Sequence, residues 1–196
     1  MAGLLLAMSD LQVSNPDNRR FNGAIKPGGP VQVAPVFVLY GYNFRAPGTT
    51  SQAESFAVAY KWGVVCIDEV LLHPESNPDG ATWCRARAAH TEQRLARRDP
   101  GFLTVLVSHW PLSRRPSEIL RHPKFAQWCG TEFIRGWHTR YRAVFAVYGH
   151  LHVPRTILYG SVLFEEVSRG YPEEWRARSR SRPPAVCTVL PEAPAC

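Results

Sequence analysis

Short apolar runs, each broken off by glycine, proline or a polar cluster, alternate along this chain with stretches of helical spacing. A continuous apolar run of about 4–8 residues is the pattern of a buried strand. Residues 4–8, 36–40, 64–67, 103–107 and 144–148 fit it. Residues 156–159 and 162–167 flank Gly160-Ser161, a two-residue connection of hairpin type. Residues 51–62 read as a helix with Ser51 as N-cap and Glu54 three positions on, the capping-box pattern. A second helix opens at Asp79 or Thr82 and runs to about Arg98. Its Trp83, Ala86, His90 and Leu95 lie near one face and its arginines mostly elsewhere, so His90 reads as a packed or exposed helix residue rather than a ligand, and the arginines as a solvated face.

The remaining stretches lack a clear period. Residues 15–35 are polar and rich in Pro, Gly and Asn, which predicts a loop. Between residues 112 and 141 the chain predicts loops with short helical pieces, and Trp128, Phe133, Trp137 and Tyr141 predict cover over a core. After Trp175 the sequence turns Arg/Ser/Pro-rich and predicts disorder.

Composition sharpens this reading. The 196 residues are 45% hydrophobic and 20% charged, enough for one globular domain with a core. Seventeen prolines and fourteen glycines agree with many loops. The net charge of +7, with 23 Lys+Arg against 16 Asp+Glu, favours anionic partners such as phosphate esters. Part of the excess is local, in Arg176, Arg178, Arg180 and Arg182. Five cysteines with no C-x-x-C pair suit a reducing cytoplasm better than a disulfide framework. The apolar start lacks a basic leader and runs straight into Ser9-Asp10, so it reads as a first strand rather than a signal peptide. No run is long enough to cross a membrane, and no membrane partner is expected.

Candidate chemistry gathers where strands end. Residues 147–154 read V-Y-G-H-L-H-V-P. On an extended backbone His150 and His152 would point to one side. Gly149 would allow a sharp turn, and Pro154 would keep the exit extended. Two neutral imidazoles held together suit a transition metal; the plainer alternative is one packed and one surface histidine. Asp10 follows the first strand and His109 the run at 103–107. If those strands lie side by side, Asp10, His109, His150 and His152 converge on one crevice. Mixed carboxylate and imidazole donors suit Mn, Fe or Zn, and two such ions can polarise a phosphoryl oxygen and activate water.

Ser9-Asp10, then Val107-Ser108-His109-Trp110-Pro111, then Tyr148-Gly149-His150-Leu151-His152 resemble the first, fourth and fifth motifs of the calcineurin-like metallophosphoesterases. The likeness is greatest to an actinobacterial-type subgroup that includes a phosphopantetheinyl hydrolase, which removes phosphopantetheine from acyl carrier proteins. Asp68-Glu69-Val70-Leu71-Leu72, Trp128-Cys129-Gly130-Thr131, Trp137-His138-Thr139-Arg140-Tyr141 and the run from Phe164 to Pro172 look like that subgroup. The resemblance implies a metal-dependent phosphodiesterase with an α/β fold, an α/β/β/α sandwich carrying two metals at its strand ends. By it, Asp10 and His152 would bind the first metal, and His109 and His150 the second.

The departures are specific. Gln12 stands where the family's first motif has histidine. The Gly-Asp and Gly-Asn-His motifs, with the bridging aspartate and the ligand asparagine, are absent. Only a linker at residues 23–33 fills their place, and Asn15, Asp17, Asn18 and Asn22 read as turn formers. The sequence thus predicts a metallophosphoesterase-like domain over residues 1–175, truncated in its first sheet by an internal block missing near 23–33, and a basic tail over 176–196. Without the bridging carboxylate one ion at His109, His150 and either His152 or Asp10 is favoured over two. The first functional reading is a metal-dependent phosphodiesterase acting on a phosphopantetheinyl carrier protein or a similar phosphoester. The second is a catalytically impaired member of the family that binds a metal or a partner. The third is nucleic-acid binding through the arginine-rich tail, against which stands the plain reading of a solvated basic extension.

Overall fold

The structure, a computed structural model, describes residues 5–7, 31–74, 76–177 and 187–190. It divides into two compact units, the second formed by Phe37–Arg98 and Trp110–Trp137 and the first by the rest. The first unit holds every strand among the described residues. These are β1 (Leu5–Ala7), β2 (Val31–Val36), β3 (Leu103–Ser108), β4 (Ala143–Tyr148), β5 (Arg155–Tyr159), β6 (Val162–Glu166) and β7 (Cys187–Leu190).

Five of them form a sheet in the order β2-β3-β4-β6-β5. It is parallel except for β5, which runs antiparallel to β6. The interior strands read as unbroken apolar runs because both faces are covered. Val105, Leu106 and Ala146 are fully buried, and Val105, Val147 and Val167 form a core cluster with Val33, Val107, Val144 and Phe145 around it. The hairpin turns at Gly160-Ser161 as the sequence predicts, with Gly160 at φ +60°.

Three sequence expectations need correction in this unit. The strand predicted at residues 36–40 lies at Val31–Val36 instead. Pro35 masks it in sequence, yet proline is tolerated on an edge strand, and β2 is the last strand on its side of the sheet. β1 pairs with β7 in a separate two-stranded ladder, not beside β3 or β4. The region predicted to be a disordered tail includes β7 and the end of a helix, α5 (Pro172–Ala177).

The second unit is helical, with α1 (Gln52–Lys61), α2 (Asp68–Leu71), α3 (Gly80–Ala96) and three short 3-10 turns; α4 (Trp137–Arg140) follows them in the chain. α1 begins with the expected capping box: Ser51 Oγ accepts from Glu54 N at 3.1 Å and the Glu54 carboxylate accepts from Ser51 N at 3.3 Å. Asp79 caps α3, accepting from Thr82 N at 2.6 Å. Leu39, Tyr40, Tyr42, Cys84, Trp110 and Trp128 belong to the core. Phe56 stacks on Trp128 at 5.7 Å, and Trp128 Nε1 donates to Glu69 Oε1 at 3.1 Å.

α3 also explains why residues 37–40 are no strand although Val38, Leu39 and Tyr40 are buried. Cys84 Sγ donates to the Leu39 carbonyl at 2.9 Å and Thr91 Oγ1 to the Phe37 carbonyl at 3.1 Å, so side chains replace a ladder. The buried face of α3 is accordingly Cys84, Ala88, Thr91 and Leu95, not the predicted Trp83, Ala86, His90 and Leu95. His90 is exposed and so no part of that face, and Arg87 lies 4.5 Å over the Phe37 ring rather than in bulk solvent. Residues 64–67 form no strand; Val65 and Ile67 are exposed and lead into α2. Trp128, Trp137 and Tyr141 are buried as predicted, whereas Phe133 is exposed.

Candidate metal centre

Parallel pairing puts the C-terminal ends of β3, β4 and β6 on one edge of the sheet. The chain that leaves each strand there is tied to its neighbour. Gly149 N donates to the His109 carbonyl at 2.9 Å, and Val167 N to the Tyr148 carbonyl at 2.9 Å. These bonds fix the start of the loop that carries His150 and His152.

That loop is not extended. His150 has φ +72° and His152 φ +55°, both left-handed. Leu151 N donates to the Gly149 carbonyl at 2.9 Å, closing a three-residue γ-turn centred on His150. The turn therefore falls on His150 rather than on Gly149, and the reading of two imidazoles projecting from one strand face does not hold. Each left-handed non-glycine residue costs about 1–2 kcal/mol. The cost is met by the surroundings: Leu151 is buried, and His152 N donates to Ser168 Oγ at 3.1 Å. Ser168 in turn donates to the carboxylate of buried Glu166. Burial, and next the negative charge of Glu166, push the Tyr148 phenol well above its ordinary range, so it stays protonated.

His109 and His150 are brought together. His150 Nδ1 stands 3.3 Å from His109 Nε2, and the rings meet edge to face with centroids 5.1 Å apart. Two donors bound at 2.0–2.1 Å to a tetrahedral zinc are separated by about 3.3–3.4 Å. The pair thus fits two corners of a transition-metal site; the same distance also admits one N–H···N hydrogen bond, according to tautomer. His152 engages a different partner, Glu174 of α5, with Nδ1 2.7 Å from Glu174 Oε2. Among the described residues no group of three or more His, Cys, Asp or Glu side chains could hold a metal ion. Asp10 and Gln12 lie outside the described residues.

The sequence reading does not find Ser168, Gly170 or Glu174 as parts of this neighbourhood. The available signal is local: Tyr171-Pro172-Glu173-Glu174 carries proline at the first helical position and glutamate at the third, a helix start. Glu174 Oε2 accepts from Tyr171 N at 2.7 Å in keeping with that role. Nothing in the sequence says that the same carboxylate meets His152.

No protein-family model matches the chain. Over 151 residues it is 52% identical to the acyl-carrier-protein phosphodiesterase PptH of Mycobacterium tuberculosis, a match that covers 77% of this chain and 47% of that protein. The chain thus spans about half the length of the curated relative it matches. The crystal structure of phosphopantetheinyl hydrolase (PptH) from Mycobacterium tuberculosis superposes with a TM-score of 0.79 at 48% identity, covering 86% of this chain and 59% of that one. The mixed α/β fold with its five-stranded sheet is shared with that hydrolase over this span.

Proposed function

We propose that this chain carries part or all of a metal-dependent phosphodiesterase of the calcineurin-like kind, acting on a phosphopantetheinyl carrier protein. The observation that carries the reading is the His109–His150 pair at the strand ends of a sheet shared with a phosphopantetheinyl hydrolase. His109 and His150 would hold a divalent ion, Mn, Fe or Zn, with His152 and Asp10 as further donors. Such an ion, when bound, polarises a phosphoryl oxygen and makes water nucleophilic near neutral pH. Hydrolysis would add a water oxygen to phosphorus and break the P–O bond to the carrier's hydroxyl, which leaves with a proton. The loops after β3, β4 and β6 supply the positions: the γ-turn presents His150, and the Ser168 hydroxyl fixes the backbone at His152. The α/β/β/α sandwich, truncated in its first sheet near residues 23–33, belongs to the same reading, supported by the missing motifs. We place the protein in the cytoplasm, on the strength of three buried, unbridged thiols at Cys66, Cys84 and Cys129.

A second reading is favoured by one observation: among the described residues no three-donor group is complete. By that reading the chain binds a metal or a carrier protein without turnover. The deciding experiment loads a carrier protein with labelled phosphopantetheine and measures its release with Mn²⁺, with His150→Ala purified alongside. Metal-dependent release that the variant lacks supports the phosphodiesterase. No release, with metal still bound by the parent chain and lost in the variant, supports the second reading. Release unchanged in the variant sinks the site.

A further inference from the structure

We propose that Glu174 is the positioning residue of this site: its carboxylate holds the His152 imidazole as the Nδ1–H tautomer and so reserves Nε2 for a divalent cation. The proposal rests on the metal reading above and assigns a role to a residue outside every motif that suggested it. A ligating histidine almost always donates its second ring N–H to a carboxylate, carbonyl or water, which fixes the tautomer and raises the basicity of the ligating nitrogen. His152 Nδ1 lies 2.7 Å from Glu174 Oε2, within the range of a charge-assisted bond. The carboxylate only accepts, so the bond requires the proton on Nδ1, and in the neutral imidazole this leaves the lone pair on Nε2.

The surroundings are built around that contact. Glu174 Oε2 also accepts from Tyr171 N at 2.7 Å, which ties the carboxylate to the first turn of α5. The Tyr171 ring meets the imidazole edge to face at 5.1 Å. Gly170 passes over the pair at φ +75°; a Cβ there would lie 3.1 Å from His152 Cγ and Nδ1 and collide with Glu174 Oε2. On the other side His152 N is held by Ser168 Oγ. Backbone and ring are thus each fixed from the segment that follows β6. Glu173, the neighbouring carboxylate on α5, is exposed and serves as a control.

The test uses the full chain and two readouts that do not require activity. In the metal-free protein, ¹⁵N shifts of the His152 ring are compared in the parent chain, Glu174→Ala, Glu174→Gln and Glu173→Gln. The parent and Glu173→Gln are expected to show the proton on Nδ1, and Glu174→Ala to lose that preference. Glu174→Gln keeps an oxygen acceptor and falls between them, which separates the carboxylate's role from a general loosening of α5. Calorimetric titration with Zn²⁺ is expected to show binding weakened about 10–100-fold in Glu174→Ala and less in Glu174→Gln. A parent ring protonated on Nε2, or ring shifts and affinity unchanged in Glu174→Ala, overturns the proposal. A tautomer that shifts as expected in a chain that binds no Zn²⁺ overturns the metal reading and leaves the control of the ring by Glu174 established.

Discussion

The two ends of the five-stranded sheet each carry histidine, and the chain treats them in opposite ways. At the C-terminal ends of the strands His150 and His152 sit in left-handed backbone, within reach of polar partners: the other imidazole of His109 and the carboxylate of Glu174. At the opposite end His138 lines a cleft with Leu103, Arg142 and Tyr159 and packs edge to face on Phe164 at 5.2 Å. Burial there disfavours its charged form and lowers its pKa below the ordinary 6.5. Its Nδ1 is buried with no hydrogen-bond partner among the described residues. One end spends backbone strain and polar contacts to aim rings; the other uses a ring as an apolar filler. That contrast separates the candidate ligands from the other histidines better than sequence spacing does.

The largest expected effect tests the contrast directly. His150→Ala should weaken Zn²⁺ or Mn²⁺ binding beyond the roughly 10–100-fold that follows loss of a supporting partner, while His90→Ala, His122→Ala and His138→Leu stay near the parent value. Equal binding in all four variants would mean that the strand-end pair is a hydrogen-bonded histidine pair and nothing more. Next in size is Gly170→Ala. It places a side chain on a residue at φ +75° and drives a Cβ into the His152–Glu174 pair. A loss of about 2–3 kcal/mol in stability is expected by chemical denaturation, together with weaker metal binding. A Gly170→Ala protein of parental stability would show that the loop can shift freely, and that the ring is not held as described. Ser168→Ala should cost less, about 1–2 kcal/mol, because it removes the acceptor for His152 N and the donor to buried Glu166 without backbone strain.

How much of this could be read in the sequence follows the range of each signal. The capping box at Ser51 and Glu54, the cap of α3 and the Gly160-Ser161 hairpin are decided within a few residues; the structure has the box and the hairpin where the sequence predicts and chooses Asp79 over Thr82 as the cap. The interior strands β3 and β4 are equally legible, since burial on both faces writes itself as an unbroken apolar run. β2 is not, because Pro35 hides an edge strand, and because residues 37–40 look like a strand while their carbonyls are taken by Thr91 and Cys84 of α3. The buried face of α3 was missed for the same reason: Thr91 counts as polar in a hydrophobic pattern, yet it is fully buried with its hydroxyl on Phe37. At the candidate site the residues His109 and His150 were legible as strand-end histidines, and the structure sets them 3.3 Å apart. The γ-turn was not, since nothing in G-H-L-H says that histidine rather than glycine takes the left-handed positions. Glu174 was beyond reach as well, because its partner lies 22 residues earlier and the contact exists only once β6 has paired with β4.

The smallest effect comes from the other end of the sheet, and it concerns pH. A histidine whose folded pKa is lowered binds its proton more readily in the unfolded chain. Its stabilising share is therefore complete above the ordinary value of 6.5 and is lost as pH falls through that value toward the folded one. His138→Leu removes this pH dependence. Melting temperatures of the parent and the variant, both metal-free, should run parallel above about pH 7 and separate as pH falls below 6.5, the parent dropping relative to the variant. Above that window the variant should match or exceed the parent, because leucine fills the space beside Phe164 without burying an unsatisfied Nδ1. Taking the difference between the two chains cancels the titration of His109, His150 and His152, which both retain. A variant that runs parallel to the parent across the whole range would mean that His138 titrates as an exposed ring does, and the two ends of the sheet would then differ in backbone strain alone.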